Sequence, residues 1–225
     1  MNDLILNLLA NDSFTVSDFK AAGLTADNTK LESVYLGKAL EDIGYAAFYF
    51  CNVPEIKLPP TVLTIGDSAF FGTKFTDIIL GDKIQSVGEY AFSGSSLKKA
   101  VINEKIVDMS DMIFQNCKDL EIVVIGSKVS RIGDLAFQNC NHLNTVVIPN
   151  SVKEISEDAF SGANEDVVIF CNPNSYAQSY AEKNNIPLEI NLTRIAMLLD
   201  GRTNDIKYPC KEFWNIVKEY NVKVV

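Results

Sequence analysis

An acidic residue returns at a fixed place along the chain: Asp67, Glu89, Asp111, Asp134 and Glu157, with Tyr45 where an earlier copy would stand. Carboxylates set in a row are the raw material of cation binding and of paired acid/base chemistry. They also suit the start of a short helical turn, where unpaired N–H groups favour a carboxylate by about 0.3–1 kcal/mol. Two carboxylates about 5 Å apart repel by roughly 0.8 kcal/mol in water and by several times that when desolvated. The two effects balance only if the column stays wet, and a wet row outside any cleft is a poor catalytic centre. Capping is the expected role.

Other reactive groups are sparse. Cys51, Cys117 and Cys140 share one repeat position, where Thr73, Ser95 and Ala163 stand in other copies. Exchange with small residues marks a buried slot that a thiol fills as a small hydrophobe. A Cys117–Cys140 bridge is geometrically conceivable, but reduced, structural thiols are expected, and the spacing suits neither a secreted disulfide framework nor zinc. Cys171 and Cys210 lie further along without an assigned role. The single histidine, His142, sits in the polar run NCNHLN and reads as a solvated loop residue. G-x-S-x-G, H-E-x-x-H and a phosphate-binding loop are all absent from the sequence, so no catalytic residue, metal ligand or cofactor is expected. Asn11-Asp12-Ser13 and Asn191-Leu192-Thr193 fit the glycosylation sequon, a triplet that also arises by chance.

A third set of residues offers binding rather than chemistry. Short alternating triplets recur as VYL 34–36, IKL 56–58, IIL 78–80, AVI 100–102, VVI 123–125, VVI 146–148 and VVI 167–169. Strand side chains alternate between faces, so flanking residues in a core leave the middle one outside. That assigns Tyr35, Lys57, Ile79, Val101, Val124, Val147 and Val168 to one concave face, the candidate partner-binding row. Three readings of its apolar part stay open. Valine simply favours strands; the row is covered within the chain, for instance by the helix in FWNIVKEY; or it is a surface for a partner or for self-association. Tyr35 and Lys57 would supply the more selective contacts.

All these positions keep step with one period. Phe48, Phe70, Phe92, Phe114, Phe137 and Phe160 lie 22 or 23 residues apart. Five residues before each comes Ile43, Ile65, Val87, Met109, Ile132 or Ile155, and eight before it Leu40, Val62, Ile84, Ile106, Val129 or Val152. A period near 22 with one β-like segment per unit is the signature of a solenoid, whose coils bury one another's apolar faces. Each buried ring contributes roughly 1.5–3 kcal/mol before entropy is counted.

The pattern is clearest in LNTVVIPNSVKEISEDAFSGA at 143–163. It resembles the BspA-like, or Treponema-type, leucine-rich repeat over about residues 31–190. The resemblance implies an α/β solenoid: a right-handed leucine-rich-repeat horseshoe with a concave parallel β-sheet and short convex helical turns. It also implies that 171–190 forms a closing helix and a last strand, and that the chain binds protein partners, as adhesin-like family members do. Six repeats are then expected over 31–170. Residues 1–30 read as a helical N-terminal cap, from Leu4, Ile5, Leu8 and Leu9 at helical spacing. Residues 191–225 read as a C-terminal extension, with a turn expected at Asp200-Gly201 and an amphipathic helix expected from Pro209.

The 225-residue chain is 47% hydrophobic and 22% charged, an ordinary globular composition. A net charge of −9 disfavours nucleic acid and anionic membranes as partners. No apolar run approaches a membrane span, so no membrane insertion is expected. The opening residues lack a basic leader, which favours a cytoplasmic chain if Met1 is the native start, and a surface or secreted one if the sequence has been shortened. The expected function is a non-enzymatic protein–protein interaction module, with self-association as the alternative. A carbohydrate-active hydrolase would need two acids at catalytic separation on the concave face.

Overall fold

The computed structural model describes residues 33–190 apart from 53 and 54, together with the strands at 5–8 and 13–14. Side chains of Ser33, Tyr35 and Ile79 and of those two N-terminal strands lie outside the described set.

Most coils write two short strands, and the strands pair in parallel with those of neighbouring coils. Strands β1 (Ile5–Leu8) and β3 (Ser33–Leu36) form a two-stranded sheet. A six-stranded sheet runs through β6 (Asp77–Ile79), β8 (Lys99–Val101), β10 (Ile122–Val124), β12 (Thr145–Val147), β14 (Val168–Phe170) and β15 (Leu188–Glu189). The second strand of each coil builds two further ladders. One joins β2 (Ser13–Phe14), β4 (Asp42–Ile43), β5 (Thr64–Ile65) and β7 (Ser86–Val87). The other joins β9 (Asp108–Met109), β11 (Arg131–Ile132) and β13 (Glu154–Ile155). Two-residue strands cannot persist alone; they exist because an equivalent strand lies beside each of them.

The N-terminal expectation is corrected in part. Leu4, Ile5, Leu8 and Leu9 fit a helical stripe, yet Ile5–Leu8 is a strand in register with Ser33–Leu36. An exposed strand edge on the next coil offers four residues a ready ladder, which outweighs the weak helix preference of so short a run. The rest of the predicted cap, and the whole extension 191–225, lie outside the described residues.

A second correction concerns the helical turns. The segment after each second strand is a run of tight turns in which successive amides donate alternately to the coil's own backbone and to the next coil. Ala47, Tyr49 and Cys51 donate to the carbonyls three residues earlier, while Ala46, Phe48 and Phe50 donate to Asp67, Ala69 and Phe71. Ser68, Phe70 and Gly72 repeat the pattern one coil on, to Glu89, Ala91 and Ser93. A helical turn would direct every donor inside the coil and leave none for the stack. The alternation requires left-handed backbone at Ala46, Ser68, Tyr90, Met112 and Leu135, with φ between 50° and 56°. Such a conformation costs a non-glycine residue about 1–2 kcal/mol, offset here by a hydrogen bond to the next coil.

Inside the ladders lies the phenylalanine column. Ring centroids are 5.2 Å apart for Phe48–Phe70, 5.5 Å for Phe70–Phe92, 5.6 Å for Phe92–Phe114, 6.0 Å for Phe114–Phe137 and 4.9 Å for Phe137–Phe160. The first four pairs are stacked within 15° of parallel. Tyr180, on helix α1 (Tyr176–Lys183), adds a tilted ring 6.1 Å beyond Phe160. Ser175 caps this helix by accepting from the Gln178 amide, and β15 then pairs with β14. Helix and strand together close the open end of the stack. The aliphatic columns that keep step with the phenylalanines are buried throughout.

Candidate functional site

Three residues of the acidic column, Asp67, Asp111 and Asp134, accept from the neighbouring coil rather than from a helix of their own. Asp67 Oδ1 takes the Glu89 amide at 3.0 Å, and Asp111 Oδ1 takes the Asp134 amide at 2.9 Å. Asp134 accepts from the Ser156 hydroxyl, and Glu157 pairs with Lys183 at 3.0 Å. These carboxylates stitch coils together at an open surface. Glycine stands beside them for a spatial reason: a Cβ on Gly88 would lie 2.2 Å from Asp67 Oδ1, and one on Gly133 2.4 Å from Asp111 Oδ1.

Arg131 is the one basic member of the second-strand ladders, in register with Asp108 and Glu154. It reaches Asp111 at 2.8 Å, Asp108 at 3.2 Å and Glu154 at 3.5 Å. Partial burial pushes the Asp111 carboxyl up, but the Arg131 hydrogen bond, the Asp134 amide and the Arg131 charge outweigh it and hold it below its ordinary 3.8. A carboxyl held low contributes stability above the unfolded-state value and loses it as pH falls through the folded one. Arg131→Met is therefore expected to cost about 1 kcal/mol near pH 7. Urea denaturation at a series of pH values should show that gap closing below pH 4. A gap independent of pH would remove the ion pair from the account.

The four described thiols are buried. Cys117 donates to the Phe92 carbonyl at 3.0 Å and Cys140 to the Phe114 carbonyl at 3.1 Å, each crossing one coil. Burial pushes the Cys117 thiol up to about 12 despite the Ser95 hydroxyl beside it, and raises Cys140 and Cys171 too. Thiolate is the nucleophile, so none of the three is an activated cysteine. Cys210 lies outside the described residues. His142 is exposed, and its Nδ1–H donates to the Lys118 carbonyl at 2.7 Å. Among the described residues no group of three His, Cys, Asp or Glu side chains is placed to hold a metal, and no helix is long and apolar enough to cross a membrane.

The candidate binding row is only partly as expected. Val101, Val124 and Val147 are in register along β8, β10 and β12. Their flanking residues Ala100, Ile102, Val123, Ile125, Val146 and Ile148 belong to the main core, and the three valines do not. They therefore point away from the phenylalanines, onto the outer face of the sheet. Ile79 pairs with Val101 and extends the row, while Tyr35 pairs with Asn7 in the separate two-stranded sheet; both side chains lie outside the described set. Val168 is one step out of place: it pairs with Thr145, and Phe170 pairs with Val147. Val168 keeps to the outer face but sits in the neighbouring column, because hydrogen-bond register follows a 23-residue step there while the repeated VVI letters follow 21.

The larger surprise is exposure. Val101, Val124, Val147 and Phe170 are 4%, 2%, 3% and 4% exposed. A wet apolar stripe is not what this face presents. Lys57 is the opposite, its side chain 85% exposed and paired loosely with Glu55 at 3.3 Å. It stands at the mouth of an open groove of about 680 Å³ lined by Ile56, Leu58, Phe75 and Ile78, with Thr76 and Asp77 at its rim. Among the described residues β6 is the last strand of the six-stranded sheet here, since Glu55–Leu58 makes no strand.

A second exposed feature escaped the periodic reading. On the turns, Tyr49 stacks on Phe71 at 4.9 Å with Phe50 edge-on at 4.8 Å, and Tyr45 and Phe50 are largely exposed. The only prior signal was aromatic residues at positions filled elsewhere by small or polar ones.

Parallel coils, two-strand windings and a stacked aromatic core define a leucine-rich-repeat solenoid. The chain belongs to the BspA type leucine rich repeat region family, whose profile matches six copies over residues 26–141 and 64–189. No curated protein matches the sequence. Among solved structures, a leucine-rich repeat protein from Bacteroides ovatus is similar with 22% identity and a TM-score of 0.56, over 66% of this chain and 41% of that one. A T. pallidum leucine-rich repeat protein matches at 25% identity and TM-score 0.43, covering 60% of each chain. One from Eubacterium ventriosum matches at 18% and 0.45, over 76% of this chain and 60% of that one. The chain thus spans less than two thirds of the length of these structures, and the first likeness supports the fold alone.

Proposed function

We propose that the protein is a non-enzymatic protein-binding module that engages its partner at the Lys57 end of the sheet. The observation that carries this reading is the open groove between Glu55–Leu58 and Phe75–Ile78. Its floor is apolar and its rim carries Glu55, Lys57 and Asp77, which is the make-up of a specific contact rather than a greasy one. The terminal strand β6 beside it favours an extended segment of the partner, laid along the sheet edge. A solenoid held by ladders on several sides loses little conformational entropy on docking.

Affinity capture from the native source, repeated with Lys57→Glu and with Asp77→Lys, tests the proposal. Each reversal is expected to weaken the captured complex at least tenfold while thermal unfolding of the free chain stays unchanged. A partner held equally by both variants would place binding elsewhere. Hydrolysis of any polysaccharide, lost on a single Asp→Asn substitution, would overturn the non-enzymatic reading. The buried valine row weighs against self-association through that stripe, because a free docking surface would be open to water.

A further inference from the structure

The outer face of strands β8 to β14 is dry, yet no described residue lies over it. Val101, Ile122, Val124, Val147 and Phe170 are all buried while standing outside the main core. A row of valines in a bare sheet shields its flanks but leaves its tips in water, so burial to a few per cent requires a cover. The burial also has a limit. Lys57 and Asp77, at the far end of the same face, are exposed, and the groove there is open. The cover therefore sits over β8 to β14 and stops short of the Lys57 end.

We propose that residues 191–225 are that cover: the C-terminal segment folds back over the outer face of its own sheet. The described chain ends at Ile190, directly after β15, the edge strand of this sheet. A segment leaving from that point meets β14 and β12 first, then β10 and β8, and reaches the Lys57 end last. The N-terminal residues enter at the other end, through β1 on β3. The sequence supplies the right surface. Cys210, Phe213, Trp214, Val217 and Tyr220 fall on one side of a helix, and Leu192, Ile195, Ala196 and Leu199 fall on one side of another, with Asp200-Gly201 after it. A helix over 209–221 is about 20 Å long, and β8 to β14 span on the order of 14 Å, so one helix reaches across all four. Charge agrees: the segment holds six basic and four acidic residues in a chain of net charge −9. The proposal goes beyond the groove reading and does not depend on what binds there.

The chain has one tryptophan, Trp214, and it lies in this segment, so the intact protein reports on its own docking. Its emission in the full chain is expected to be blue-shifted and weakly quenched by acrylamide, at any protein concentration. Val124→Lys, on the sheet, and Val217→Lys, on the segment, should each raise the quenching constant at least twofold. Far-UV circular dichroism should show the solenoid retained, and Val217→Lys serves if Val124→Lys does not fold. Lys57→Glu should leave the tryptophan unchanged, so failure here and failure of the groove reading are separable. A tryptophan as open to acrylamide as the free amino acid would overturn the proposal and assign the cover to the N-terminal residues. Shielding that appears only as light scattering detects a dimer would overturn it in favour of a second copy.

Discussion

Phe114→Ala is expected to cost about 3–5 kcal/mol, the range for deleting a buried ring that its surroundings cannot refill. Phe114 is fully buried and stacks on both sides, on Phe92 at 5.6 Å and on Phe137 at 6.0 Å. Neighbouring coils are fixed by the six-stranded sheet and by the turn hydrogen bonds, Phe92 to Ile113 and Phe114 to Ala136, so the walls cannot collapse into the void as a loosely held core would. Position matters as much as volume. A solenoid's stability is close to a sum of coil and coil–coil contributions, and a cut in the middle separates two half-stacks. Urea unfolding of Phe114→Ala should therefore show a lower midpoint and a shallower slope, as the halves begin to melt apart. The same truncation at Phe160, next to the closing Tyr180, should lower the midpoint less and leave the slope unchanged. A loss below about 1 kcal/mol at Phe114 would mean that the ladders hold the stack and the rings merely fill it.

What the sequence reveals about this fold depends on whether a feature repeats. The phenylalanine column and the aliphatic columns before it recur in every coil, so register could be counted off. Val168 shows the limit. Three identical letters, VVI, recur at 123–125, 146–148 and 167–169, but the last set is displaced from its partners by two residues. Hydrogen-bond register cannot be read from valine, which suits either column. The turns were misread for a related reason. Ala46, Met112 and Leu135 adopt positive φ without any of the residue types that usually signal it, because the next coil's carbonyl compensates. The dryness of the valine row is not written in its letters either, since valine suits a wet strand face as well as a dry one. The groove lies where the coil at 51–60, CNVPEIKLPP, departs from the pattern, and departures carry no template.

Asn103 is the position where such a departure should cost most. Its equivalents in other coils are Pro59, Gly81, Gly126 and Pro149, and there the amide three residues on bonds to the backbone carbonyl. At Asn103 the side chain takes over. Oδ1 accepts from the Lys105 amide at 2.7 Å and the Ile106 amide at 3.2 Å, while Nδ2 donates to the Ile84 carbonyl at 2.9 Å and to the Gly81 carbonyl. One buried amide thus satisfies four backbone groups in two coils. Asn103→Leu keeps the branched shape, adds some bulk and strands all four, at roughly 1–3 kcal/mol for each that stays dry. A total of about 2–4 kcal/mol is expected, since only the Ile84 and Ile106 contacts are fully buried. Asn103→Gly should cost less although it removes more atoms, because glycine allows the backbone bond made at Gly81 and Gly126. Asn103→Asp separates hydrogen bonding from shape. A carboxylate would face the Gly81 and Ile84 carbonyls with no proton to give, so its folded pKa should rise and the variant should regain stability as pH falls through that raised value. Thermal melts of the three variants between pH 4 and 8 should rank leucine below glycine and show the recovery for aspartate alone. Equal losses for leucine and glycine would leave the side chain as filler.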